Sequence, residues 1–113
     1  PGGMPGTLNL ERSAKVNAFV DYAYENQKIV CAICAAPSIL GHKGMLKGKK
    51  AVCFPGFESE LEGAELSDSF VVTDGNIITA KGMGSAVKFG IAIGAAFVGE
   101  AKMKKIEESL QCS

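Results

Sequence analysis

The spacing of apolar positions changes along the chain, and each change marks an element. Between Asn9 and Tyr24, the residues Leu10, Ala14, Val16, Phe19, Val20 and Ala23 recur at helical spacing with polar residues between them. One amphipathic helix is expected there, with Asn9 as its cap. Asn26 and Gln27 break the pattern. Ile29 to Ile33 is then an unbroken apolar run with β-branched members, the mark of a buried parallel strand. Pro37 suits the first turn of a helix, where its missing N–H costs nothing. That helix should carry Ser38, Ile39 and Leu40 and stop near Gly44. A second strand is expected from Lys50 to Phe54, halted by Pro55-Gly56. In "SFVVTDGNIITAKG" two β-branched runs flank Asp74-Gly75-Asn76, which predicts a hairpin with a positive-φ turn. Helical spacing returns from Ser85 to Glu100, with Gly90 and Gly94 on one flank where something can pack closely. "EAKMKKIEESL" closes the chain as an amphipathic helix. Helices alternating with short buried strands predict an α/β fold around a mostly parallel sheet, with Ile29–Ile33 and Lys50–Phe54 as its central strands.

A length of 113 residues suffices for one small domain but not for two. Hydrophobic residues make up 47% and charged residues 21%, the profile of an ordinary globular protein. Lys+Arg and Asp+Glu both number 12, so no basic excess exists to neutralise phosphates, and nucleic acid is not the expected partner. Lys47, Lys49 and Lys50 read as a solvated turn. No run approaches the roughly 18 apolar residues of a membrane span, and "PGGMPGTLNL" lacks the regions of a signal peptide. The four cysteines are therefore expected to be reduced thiols in a cytoplasmic protein. The opening "PGGMPG" starts inside a loop. Either it is a genuine N-terminus, or the first part of a larger domain lies outside this chain.

The chemistry concentrates in "KIVCAICAAPSIL". A redox Cys-x-x-Cys pair places its first cysteine at a helix N-terminus. Cys31 instead lies inside the strand, and side chains three apart on a strand point to opposite faces, so Cys31 and Cys34 should not meet. A zinc site needs about four ligands, and one Cys-x-x-Cys with two distant cysteines and one histidine does not supply them. No metal is expected. What remains is strand, Cys34, two alanines, proline, helix. A sharp strand-to-helix turn of this kind lifts one side chain out of a sheet at its carboxyl end, where open α/β sheets place their sites. The helix N-terminus would favour a thiolate there and could stabilise an oxyanion. A nucleophile and a buried structural cysteine both fit this pattern.

"AICAAP" at 32–37, "PGG" at 1–3, "GMLKGKKAVCFPGFE", the hairpin "VVTDGNIITAKGMGS" and the helix after it together resemble the ThiJ/PfpI superfamily. The branch is that of the Parkinson-disease-linked deglycase and its bacterial relatives. The resemblance implies a flavodoxin-like three-layer sandwich, usually dimeric, of which residues 1–113 would be the C-terminal part, with the N-terminal strands absent. It implies that Cys34 is the reactive cysteine, readily oxidised to sulfinate. It further implies that Gly2 and Gly3 form the glycine loop whose N–H groups face Cys34, with Ala35 supplying another. Gly82 and Gly84 would form a glycine turn near the site and the dimer contact. Phe54 and Pro55 would line the site; Cys53, at the end of the second strand, reads as a structural or lightly exposed thiol, with a site-lining role across the sheet from Cys34 as the alternative. Two departures stand out. Phe54 replaces the histidine of an "HP" pair, which excludes a Cys-His dyad from that position, and Ala35 replaces the histidine of the protease-like branch, which argues against a peptidase.

The other candidates have plainer readings. His42 lies eight residues past Cys34, roughly 12 Å of helix rise away, and reads as a histidine favoured near a helix C-terminus. Glu58 and Glu60 read as a solvated loop, and Cys112 as incidental. The resemblance implies an enzyme of glyoxalase or deglycase type in which Cys34 attacks a small reactive carbonyl compound, without a cofactor. The alternative is a redox sensor or stress-linked chaperone acting through oxidation of Cys34. The proton-transfer group is expected on a glutamate of an N-terminal segment of the same gene product that packs with this chain.

Overall fold

A computed structural model describes residues 1–111. The chain runs α1 (Gly6–Arg12), α2 (Ala14–Glu25), β1 (Val30–Ile33), α3 (Pro37–His42) and β2 (Lys50–Ala51). A 3₁₀ turn (Glu58–Glu60), β3 (Glu65–Leu66), β4 (Val71–Asp74) and β5 (Ile77–Ala80) follow, and a second 3₁₀ turn (Met83–Ser85) leads into α4 (Ala86–Val98) and α5 (Glu100–Leu110).

The single helix expected from Asn9 to Tyr24 is two helices. Ser13 adopts an extended conformation (ψ 118°), and its Oγ accepts the N–H of Val16. It is the N-cap of α2, the role expected of Asn9, which lies inside α1 instead. Asn17 Nδ2 donates to the carbonyls of Glu11 and Ser13 at 2.7 and 2.9 Å and fixes the angle between the two helices. The strand expected from Lys50 to Phe54 is also shorter. After Ala51 its backbone bonds leave the ladder: Val52 N–H donates to Thr79 Oγ1, and Phe54 N–H donates to the Cys34 carbonyl.

The main sheet has the order β1-β5-β4, with β1 parallel to β5 and β5 antiparallel to β4. Its centre is β5, the second arm of the hairpin, and not Lys50–Phe54. All four residues of β5 are buried, as a strand covered on both faces requires. The hairpin turns as expected, with Gly75 at φ 60°. β2 pairs with β3 in a separate two-stranded parallel ladder. Val30 and Ala32 of β1 join Leu40, Leu46, Ala51, Leu61 and Ile77 in one core, with Val20, Ala23 and Tyr24 of α2 packed on it. Met103 of α5 packs so tightly on Gly94 that a β-carbon there would lie 2.6 Å from its Sδ. This is the close packing expected at Gly94; at Gly90 a β-carbon would meet nothing within 4 Å, so the expectation fails there. Among the described residues no helix is long and apolar enough to cross a membrane.

Candidate active site

β1 ends at Ile33, and the chain turns into α3 through Cys34, Ala35 and Ala36. Cys34 sits at φ 67°, a left-handed conformation that costs a non-glycine residue about 1 kcal/mol or more. Bonds on both sides hold it there. Its N–H donates to the Ala80 carbonyl at 3.0 Å, and its carbonyl accepts Phe54 N–H at 2.7 Å. The Ser38 hydroxyl and N–H both donate to the Ala35 carbonyl and tie the turn into α3. The small residues have a steric reason, since Ala35 and Ala36 are buried against the core.

Gly2 closes the turn from the other side. A β-carbon on it would lie 2.7 Å from Cys34 Cβ and 2.8 Å from both Ala35 N and Ile33 O. Three of those contacts cannot yield without moving backbone or the reactive residue. Gly3 is required for a different reason, its φ of 87°. We expect Gly2→Ala to lower any Cys34-dependent turnover by about a hundredfold, the effect of misplacing a reacting group by an ångström. Steady-state rates beside a thermal melt check this: an unchanged rate in a folded variant contradicts it.

Phe54, Pro55, Gly82 and Gly84 come together in one apolar cavity of about 250 Å³, completed by Phe70, Lys81 and Ser85. The last three were not singled out from the sequence. Ser85 is legible in retrospect, because its hydroxyl donates to the Gly82 carbonyl and accepts Gly82 N–H, closing the "GMGS" turn. The Phe54 ring lies against Gly82, where a β-carbon would be 3.2 Å from it. Lys81 and Lys88 reach over the Phe70 ring at 5.8 and 4.9 Å from its centroid, within cation–π range.

Cys31, Cys34 and Cys53 are free thiols. Cys53 is buried beneath the site, and its thiol is pushed up to about 11 by burial and then by the Glu58 carboxylate, with a smaller push from Cys34. Burial also pushes the Cys31 thiol up. Both are held as protonated thiols at neutral pH, which slows their reaction with peroxide. Mild peroxide should therefore modify Cys34 first and stop mainly at the sulfinate. Peptide mapping tests this, and preferential modification of Cys53 or of Cys112, which lies outside the described residues, would contradict it. Among the described residues no group of three or more His, Cys, Asp or Glu could hold a metal ion.

His42 does not approach Cys34; its ring bonds Glu11 and Glu60. Glu58 is turned onto Gly56 N–H at 2.8 Å. Both acids of "FESE" are exposed, as the solvated reading expects, and each also accepts a hydrogen bond.

Residues 1–96 match the model of the DJ-1/PfpI family. The chain is 30% identical over 112 residues to protein dj-1beta of Drosophila melanogaster, covering 97% of this chain and 60% of that protein. It is 35% identical over 84 residues to a deglycase of Pyrococcus horikoshii, covering 72% of this chain and 49% of the deglycase. The oxidized form of Toxoplasma gondii DJ-1 superposes with a TM-score of 0.90 at 31% identity, over 98% of this chain and 61% of that one. The chain thus spans about 60% of the length of these DJ-1 relatives and shares their α/β, flavodoxin-like fold over nearly all of its own. With its elbow cysteine between two glycine-bearing turns, the chain belongs to the DJ-1/PfpI family.

Proposed function

We propose that this chain carries the nucleophile of a cysteine-dependent enzyme that acts on small reactive carbonyls, of the glyoxalase or deglycase type. The observation that carries the reading is Cys34 at φ 67° at the carboxyl end of β1, backed by Gly2 and followed by Ala35. The likeness to a deglycase supports the choice of substrate.

With methylglyoxal, the Cys34 sulfur adds to the aldehyde carbon, and the carbonyl π pair moves to oxygen. N–H groups of Ala35 and of the Gly2-Gly3 loop stabilise that oxyanion. A proton leaves the new carbinol carbon for the neighbouring ketone carbon by way of an enediol, which gives a thioester. Water then hydrolyses the thioester to lactate and frees the thiol. One carbon is oxidised as its neighbour is reduced, so methylglyoxal plus water balances lactate with no outside oxidant.

The proton shuttle needs a group near Cys34. We assign it to a carboxylic acid on a segment preceding Pro1 in the gene, which makes residues 1–113 the C-terminal part of one domain. A homodimer built on the Gly82–Gly84 turn, a cytoplasmic location and a role in stress protection belong to the same proposal. The second reading, a redox sensor or chaperone switched by Cys34 oxidation, draws on the likeness to an oxidized DJ-1 and on Phe54 standing where a histidine would serve as base. Methylglyoxal turnover by the wild type and by Cys34→Ser separates the two readings. Unchanged turnover with altered peroxide sensitivity would select the sensor.

A further inference from the structure

His42, the last residue of α3, is held on both ring nitrogens. Nδ1 lies 2.5 Å from Glu11 Oε2, and Nε2 lies 2.6 Å from Glu60 Oε2. A neutral imidazole has one N–H and one lone pair, so it can donate to only one of these carboxylates and must present a lone pair to the other. An imidazolium donates to both. The ring is accordingly raised from its ordinary 6.5, first by Glu60 and then by Glu11, with partial burial opposing them. Arg12 follows Glu11 in the chain, and Lys43 beside His42 is paired with Asp21 of α2 at 2.7 Å.

The two carboxylates belong to two segments that wall the Cys34 turn. Glu11 is on α1, whose first turn grips the glycine loop: Thr7 N–H and Oγ1 both donate to the Gly3 carbonyl at 2.8 Å. Glu60 ends a relay of backbone bonds that starts at the nucleophile. Phe54 N–H reaches Cys34, Phe57 N–H reaches Phe54, and Glu60 N–H reaches Phe57. Gly41 shows how closely the second wall meets α3, since a β-carbon there would lie 2.1 Å from the Glu60 carbonyl oxygen.

We propose that His42, as an imidazolium, is a positioning residue that ties α1 and the 54–60 segment to the end of α3, fixing both walls around Cys34 and releasing one of them when the ring loses its proton, since the neutral ring keeps a single N–H. The inference rests on Cys34 being the reactive thiol. A group whose folded pKa is raised contributes fully below its unfolded value and loses that contribution as pH rises through the folded one. The tie is therefore closed below about pH 6.5 and opens above the raised value.

NMR titration of the His42 ring, together with iodoacetamide alkylation of Cys34, in the full-length wild type and in full-length His42→Gln, tests this. Glutamine can donate to one carboxylate and does not titrate. The ring should titrate above 6.5 and fall back towards it in the Glu11→Gln, Glu60→Gln double variant. Below that midpoint the wild type should alkylate about two- to fivefold faster than His42→Gln, the factor a partly exposed ion pair supplies, and the two should converge above it. Amide shifts of Gly2, Gly3 and Phe54 in the unmodified protein should move with the same midpoint, a readout that does not need the variant to fold. A ring that titrates at or below 6.5, a rate ratio constant with pH, or amides that ignore the ring's midpoint would each overturn the tie. Alkylation and shifts need no carbonyl turnover, so an inactive protein would count against the enzyme reading alone.

Discussion

Cys34→Ser is expected to lower methylglyoxal turnover at least about a thousandfold, equivalent to roughly 4 kcal/mol of barrier. The change keeps the size of the side chain and the backbone at φ 67°, so the elbow and the bonds to Ala80 and Phe54 should survive. What changes is the nucleophile. A serine hydroxyl must be deprotonated by a neighbouring base as it attacks, whereas a thiol gives a usable thiolate fraction without one. The histidine and the first acid that follow the elbow in the chain are engaged elsewhere: His42 faces Glu11 and Glu60, and Glu58 is turned onto Gly56. Cys31→Ser should retain most of the activity, because Cys31 lies on the strand and three residues from the elbow. Turnover measured beside a thermal melt decides the matter. A folded Cys34→Ser protein that retains more than about a tenth of the rate would remove the nucleophile from the mechanism.

The parts of the site legible in the sequence are those fixed by neighbours in the chain. Strand, cysteine, two alanines and proline dictate the elbow because each acts within a few residues: the alanines by size, Pro37 by starting α3. The Gly75 turn is legible for the same reason. The break at Ser13 was not, since apolar spacing runs through it and only the local hydroxyl-to-Val16 bond ends one helix and begins the next. The place of β5 at the centre of the sheet was hidden too. A hairpin motif fixes how Ile77–Ala80 pairs with Val71–Asp74, but its pairing with β1 joins positions 47 residues apart, such as Val30 and Ile77. Lys50–Phe54 has strand composition, yet its later N–H groups find Thr79 and Cys34 instead of a ladder. The His42 tie spans 31 residues to Glu11 and 18 to Glu60 and leaves no local trace.

The second large effect concerns what β1 and α4 leave uncovered. Among the described residues β1 pairs with β5 alone, so its other edge presents free N–H and C=O groups, a template for another strand. Along that strand runs an apolar cleft of about 180 Å³, lined by the consecutive residues Val30, Cys31 and Ala32 and walled by Leu10, Val16 and Ile39. A cleft that touches three successive strand residues follows the backbone, as an added strand would. The helix α4 is nearly all apolar, yet none of its residues is fully buried; Val87 is 56% and Phe97 72% exposed. A helix of that composition with faces left exposed calls for cover beyond α5 and the sheet. The DJ-1 relatives are long enough to provide it, since this chain spans 60% of dj-1beta. We therefore expect residues 1–113 expressed alone to be poorly soluble and inactive towards methylglyoxal. A segment corresponding to the remainder of the relatives, supplied in trans, should pair with β1, cover α4, bring a glutamate within hydrogen-bond distance of the Cys34 sulfur and restore both properties. Coexpression with size-exclusion chromatography and an activity assay tests this. A 113-residue chain that is monomeric, cooperatively folded and fully active by itself would show that the proton-transfer group lies within this chain and that the edge of β1 needs no partner.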